Sequence, residues 1–233
     1  MHVFELYSEV MYPLVETMKT GLPKLLRVKK AVKHFSLPEG VVVIDIETTG
    51  LEPEDHEMVS YGLFKGSTAE VVVRLTGKER DLIEALEEDL KTLMESNARL
   101  WAFYSSFEES WLQTKLSEEF EPLTGYIGEL KVVKGRLTDI VPYEFGDRSD
   151  GSRIPRLWQN WLDRASLGSL TAIIHHNMAD IIREALLYVL DENGAFRPLD
   201  SFRDVEIEFI GEPYKPFNEF VENLYEAFTG NKD

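Results

Sequence analysis

The sequence predicts an α/β fold, a mixed sheet of three antiparallel strands followed by parallel strands, flanked by helices. Three observations carry this reading. Val41, Val42, Val43 and Ile44 are apolar on both pleat faces, as in a strand buried between two layers. Residues 59–64 and 70–75 are two further strands joined by the short loop Lys65-Gly66-Ser67-Thr68, which makes the first three strands antiparallel neighbours. Leu82, Ile83, Leu86, Leu90, Leu93 and Met94 then form a helical stripe, opened by a Thr76-x-x-Glu79 capping-box pattern, before another strand at residues 99–104.

The first strand ends in chemistry. Side chains alternate along a strand, so Asp45 and Glu47 share one face while Ile44 and Ile46 take the other. Thr48-Thr49-Gly50 turns the chain, leaving two carboxylates at the carboxyl end of a buried strand, the usual place for a ligand site in an α/β sheet. Neighbouring anions in a half-buried site repel, and a divalent cation is the common remedy.

A second acidic position follows the strand at 99–104, where Trp101-Ala-Phe-Tyr-Ser-Ser-Phe-Glu108 passes from strand to helix. Glu108 falls in the first helical turn, at the mouth of the same sheet. Ser105-Ser106-Phe107-Glu108 also has the form of a capping box, and Glu109 stands in the same relation to Ser106, a role that needs no chemistry.

The third position lies in residues 171–190, where Ile174, Met178, Ile181, Ala185 and Val189 form a buried helical stripe with Asp180 beside it. On a continuous helix His176 neighbours Asp180 at i,i+4, whereas His175 points away. A carboxylate for metal and a base for water belong on one wall, which favours His176.

Together these stretches resemble the DnaQ-like (DEDD) 3′-to-5′ exonuclease superfamily of ribonuclease H-like fold. Asp45-Ile-Glu-Thr-Thr-Gly-Leu is similar to its first motif, and Ser-Phe-Glu108 to its second, where Glu replaces the usual Asp and moves the carboxylate by about 1.5 Å, one C–C bond. Asp150-Gly-x-x-Ile-Pro155 and His176-Asn-x-x-Asp180 resemble the YprB-like branch. The histidine-type exonucleases place His five residues before Asp, which here selects His175, so both histidines stay in play as the base.

The resemblance implies a ribonuclease H-like exonuclease domain over residues 41–190. It also implies catalysis by Asp45, Glu47, Glu108, His176 and Asp180, with Asp45, Glu47, Glu108 and Asp180 holding two divalent ions, Mg²⁺ or Mn²⁺. The partner is then the 3′ end of single-stranded DNA or RNA. A ribonuclease H-like endonuclease and a non-catalytic scaffold of the same fold are the rival readings.

Residues 1–40 read as an N-terminal helical extension. Phe4, Tyr7, Val10, Met11, Leu14, Val15 and Met18 recur at helical spacing, and a second short helix is expected over residues 23–35. That segment carries a basic cluster, with Lys29, Lys30 and Lys33 as either a solvated face or contacts for substrate phosphates. Residues 137–140 suggest a short edge strand. Pro155 opens a helix whose Trp158 and Trp161 read as core, and residues 191–233 read as a strand and a helix completing the domain.

Composition narrows the chemistry further. With 233 residues, 43% of them hydrophobic, the chain can bury a full core. No cysteine is present, which removes thiolate metal sites and cysteine nucleophiles and leaves carboxylates and five histidines, a donor set suited to Mg²⁺ or Mn²⁺. A net charge of -17 is awkward for a nucleic-acid enzyme and argues against a broad duplex-binding surface, but it does not exclude a site gripping a few nucleotides at a strand end, where bound metal ions carry the local positive charge. Without a membrane span or signal-peptide pattern, the expected location is cytoplasmic.

Overall fold

The computed structural model describes residues 24–32, 35–75, 78–130, 136–141, 147 and 150–192. The helix expected over the first 20 residues, Lys33, and the strand and helix expected beyond residue 192 lie outside them.

A six-stranded sheet forms the centre, in the order β1-β4-β3-β2-β5-β6. Its strands are β1 (Leu25–Ala31), β2 (Val41–Thr48), β3 (Met58–Lys65), β4 (Thr68–Arg74), β5 (Arg99–Ala102) and β6 (Gly128–Glu129). β1, β4, β3 and β2 are antiparallel neighbours, and β5 and β6 add in parallel on the other side of β2. β2 is thus the central strand at which the sheet changes from antiparallel to parallel.

Helices cover both faces. α1 (Glu79–Glu95) and α2 (Ser105–Lys115) pack on one face with the short α3 (Glu121–Thr124). There Leu82, Leu86, Leu90, Trp111 and Leu112 meet Val42, Ile44 and Ile46 of β2. On the other face α5 (Ile154–Arg164) and the 26-residue α6 (Leu167–Glu192) bury Trp158, Trp161, Ile174, Met178, Ile181 and Ala185 against Val43, Phe64, Val71 and Val73. The alternation read from β2 therefore holds, and both tryptophans are core. The Arg74 guanidinium lies 4.6 Å from the Trp158 ring centroid, and Trp161 Nε1 donates to the Leu75 carbonyl. No helix among the described residues is long and apolar enough to cross a membrane.

Two local expectations need correction. The helix expected over residues 23–35 is an edge strand from Leu25 to Ala31, paired with β4 from Leu25↔Arg74 to Ala31↔Thr68. Its period is two. Leu26 and Val28 pack on the α6-side core, while Arg27 and Lys29 reach Glu70 and Arg27 also reaches Asp89. Exposed pairs of this kind contribute at most about 1 kcal/mol each, so the ladder and the two apolar contacts hold the strand. Residues 137–140, expected as an edge strand, form the single helical turn α4 (Leu137–Ile140). Thr76, the other half of the capping-box pattern, lies outside the described residues, and Glu79 has partners beyond its helix. Its carboxylate accepts from the Met58 backbone N–H at 2.7 Å and from Lys115 Nζ at 3.1 Å, tying α1 to β3 and α2.

Candidate metal centre

β2 carries Asp45 and Glu47 on its α6 face, and their cross-strand partners on β3 are Gly62 and Ser60. The register shifts between Glu47 and Thr48, a bulge at the carboxyl end of the strand that re-aims the chain beside the site. Small partners leave room for α6 to come close. A Cβ built on Gly62 would sit 2.8 Å from Asn177 Oδ1 and 3.2 Å from Ile181 Cβ, too near for either. In that space Asn177 Nδ2 donates to Asp45 Oδ2 at 2.6 Å and fixes the carboxylate's orientation.

α6 supplies the opposite wall. Its apolar stripe faces the sheet, and His176 and Asp180 stand one turn apart beside it. His176 Nε2 lies 3.6 Å from Glu47 Oε1 and 3.6 Å from Asp180 Oδ2. One ligand atom each from Glu47, His176 and Asp180 all lie within 4.8 Å of one another, a spacing that could hold a metal ion. The other ring nitrogen, Nδ1, is 3.0 Å from Asp147 Oδ2. Asp147 also meets Arg183 Nη1 at 3.2 Å, and Arg183 pairs with Asp180 as well.

α2 closes the third side. Tyr104 is its N-cap and makes no side-chain capping bond, so neither Ser105 nor Ser106 holds the N-cap position that a capping box requires, and the Glu108 carboxylate meets its own backbone N–H. Glu109 instead accepts from the Ile127 backbone N–H at 2.8 Å, ahead of β6. Glu108 is 5% exposed, and its Oε2 is buried with no hydrogen-bond partner among the described residues.

The carboxylates strain against one another. Burial, reinforced by Asp180 and Glu108, pushes Asp45 well above the usual carboxylate range, and burial does the same to Glu47, where His176 opposes it. Burial raises Glu108 to about 8. His176 behaves in the opposite sense: burial opposes its charged form, but Glu47, the Asp147 hydrogen bond and Asp180 prevail and raise it to about 10. Burial is thus the main cause of the carboxylate shifts, with neighbouring acids adding to it, whereas the His176 shift is set by the carboxylates around the ring.

Asp45, Glu108 and Asp180 line an open cleft of about 550 Å³, with Phe103, Tyr104 and Phe107 along one side and Arg136 and Leu137 across it. Tyr104 is 53% exposed at this rim. The carboxylates offer oxygen donors, with the His176 ring beside them, a set that suits a hard divalent cation. The buried, unpartnered oxygen of Glu108 is what such a site leaves for an ion, so the residues fit a divalent cation.

Asp45, Glu47, Glu108, His176 and Asp180 therefore converge. His175 does not join them: burial, with Lys30 adding to it and Asp147 opposing, lowers its pKa to about 4. Lys29 and Lys30 sit on β1, three strands from β2, about 14 Å away across the sheet at the usual strand spacing. Glu70 already pairs with Lys29.

The model of the RNase_H_2 family, described as RNase_H superfamily, matches residues 42–190, the span that carries every residue of this centre. The chain belongs to the RNase H superfamily. Its mixed sheet flanked by helices is the architecture expected of that superfamily. No curated protein matches the chain. Among solved structures, the family B DNA polymerase from the hyperthermophilic archaeon Pyrobaculum calidifontis is 17% identical with a TM-score of 0.42, over 76% of this chain and 30% of the polymerase chain. A structure described as the apo form of a nuclease is 16% identical with a TM-score of 0.32, over 84% of this chain and 88% of the other. The chain thus spans less than a third of the polymerase.

Within this RNase H-superfamily centre, sequence reasoning missed Asp147, Arg183, the role of Asn177, and one further acid. Glu184 also lines the cleft and is 3% exposed. Its signal was present: His176, Asp180 and Glu184 recur every four residues in an otherwise apolar helix, the spacing of one helix face.

Proposed function

We propose that this chain is a metal-dependent 3′-to-5′ exonuclease of the DnaQ-like (DEDD) group, nearest its YprB-like branch, hydrolysing phosphodiester bonds at single-stranded DNA or RNA ends. The observation that carries the reading is the convergence of buried carboxylates from β2, α2 and α6 on one open cleft beside a histidine with its own carboxylate partner.

Asp45, Glu47, Glu108 and Asp180 are the residues that would hold two divalent ions, Mg²⁺ or Mn²⁺. When bound, such a pair neutralises the carboxylates, favours ionisation of water and stabilises charge on a leaving oxygen. The chain's own side chains do the rest. Asn177 keeps Asp45 turned to the cleft, and Arg183 holds Asp180 and Asp147 in place. Asp147 accepts the Nδ1 proton of His176, which leaves Nε2, facing Glu47 and Asp180, as the basic atom. With those carboxylates engaged, the field that keeps the ring protonated is relieved, and Nε2 takes the proton of the attacking water.

The rim suits a strand end. Tyr104 offers an exposed ring on which a terminal base can stack, while Arg136, which also lines the cleft, is paired with Asp150. Elsewhere, Lys24, Arg27 and Lys29 are each paired with acids, so they add little to a duplex-binding surface.

Linear and circular single-stranded DNA of the same sequence, incubated with Mn²⁺, test the reading. Loss of the linear strand with the circle intact is the expected result. A nicked circle would assign the chain as an endonuclease, and two intact substrates, DNA and RNA alike, would assign it as a binding module.

A further inference from the structure

We infer that Glu184 is a fifth metal-ligating carboxylate of this chain, holding a divalent cation in the cleft together with Asp45 and Glu108. The inference deepens the metal-dependent reading above and rests on it.

Glu184 lies one helical turn beyond Asp180 on α6, lines the cleft and is 3% exposed. The Phe103 backbone N–H donates to its carboxylate, which anchors the side chain to the strand that leads into α2. Oε2 is buried and has no hydrogen-bond partner among the described residues. The charges that act on it most are Asp45, Glu108 and Asp180, all of its own sign. A fully buried carboxylate facing three others, with an unsatisfied oxygen, is unfavourable unless a cation or a proton joins it.

The charge balance favours cations. Among the described residues, Asp45, Glu47, Glu108, Asp147, Asp180 and Glu184 set six acids against the guanidinium of Arg183 and the ring of His176, with Arg136 at the cleft already paired to Asp150. One divalent cation leaves that group strongly anionic, whereas two bring it close to neutrality. Glu47, His176 and Asp180 bring their ligand atoms within 4.8 Å of one another, whereas Asp45, Glu108 and Glu184 line the cleft without being drawn that close, so a cation there would gather them. The unpartnered oxygens of both Glu108 and Glu184 belong to that second group.

The competing role is structural: a protonated acid that merely accepts the Phe103 N–H. Glu184→Gln separates the two, because its amide oxygen keeps that acceptor at the same reach while the charge is lost. Mn²⁺ binding to protein stripped with EDTA, followed by electron paramagnetic resonance and titration calorimetry, is the readout, with the melting temperature in EDTA measured alongside. If Glu184 is a ligand, Glu184→Gln melts no lower than wild type in EDTA yet loses one of two bound Mn²⁺ ions or binds it at least about tenfold more weakly. Glu184→Asp, which withdraws the carboxylate by about 1.5 Å, falls between wild type and Gln, and carries the test should Glu184→Gln not fold. Wild-type number and affinity in both variants, with binding lost in Asp45→Asn, would overturn the role of Glu184 alone. A wild-type protein that binds no Mn²⁺ would overturn the metal-dependent reading, and this inference with it.

Discussion

Asn177 Nδ2 donates to Asp45 Oδ2 across 2.6 Å, although 132 residues separate the two in the chain. This bond joins the central strand to the long helix on its face, and it is possible because Gly62, the cross-strand partner of Asp45, has no side chain. One side-chain amide thereby ties the architecture of the sheet to the aim of the first carboxylate.

Gly62→Ala tests that tie. Its methyl would meet Asn177 Oδ1 at 2.8 Å, so the helix must shift or the amide must swing away. The expected cost is about 1–3 kcal/mol of stability, the usual range for overpacking, together with weaker Mn²⁺ binding. Denaturant unfolding and calorimetry measure the two effects. An alanine variant with wild-type stability and Mn²⁺ affinity would show that the close approach is dispensable.

The histidines separate by geometry. His176 stands between Glu47, Asp180 and Asp147, whereas His175 is outside that group and burial holds its pKa low, with Asp147 opposing and Lys30 adding to the shift. His176→Ala is expected to lower turnover by roughly 10²- to 10⁴-fold, the range of general acid–base groups, and His175→Ala to do much less. Assays of both variants at one pH and saturating Mn²⁺ decide the matter. A large loss confined to His175→Ala would move the base to the five-residue spacing.

Stability of the metal-free protein should fall as pH rises. Glu108, raised to about 8, carries no penalty below its ordinary value and its full penalty above about 8, whereas His176, raised to about 10, stabilises fully below its ordinary value and loses that as pH climbs through about 10. Both groups bind protons more tightly in the folded chain, so their effects add in one direction. Melting temperature in EDTA is expected to drop between about pH 5 and pH 9, and Mg²⁺ to offset most of the drop at the alkaline end. A flat or rising profile in EDTA would mean that the cleft carboxylates are not crowded as described.

Where local pattern and tertiary role coincide, the sequence was readable. Asp45 and Glu47 share a face because a strand alternates, and His176 meets Asp180 because a helix turns, so both relationships follow from spacing alone. β1 was not readable in that way. Its Leu26-x-Val28 alternation is short, and its basic residues gain partners only from β4 and α1, far along the chain. Asp147 was hidden for the same reason, since its contacts to His176 and Arg183 span 29 and 36 residues, whereas Arg183 stands three residues from Asp180 on α6 and was legible as a neighbour. Glu184 followed the spacing rule, but an acid on a helix ordinarily faces water, and only burial marks this one as different.

The most direct measurement is digestion of single-stranded DNA and RNA oligonucleotides labelled at the 5′ end, with Mn²⁺ or Mg²⁺, by wild type and by Asp45→Asn. The variant loses an anion that would hold a divalent cation, while the Asn side chain fills the same space. Wild type is expected to yield a ladder of stepwise 3′ shortening that EDTA abolishes, and Asp45→Asn to yield none while melting no lower than wild type in EDTA. Near-normal cleavage by Asp45→Asn, or shortening by wild type that persists in EDTA, would contradict the account.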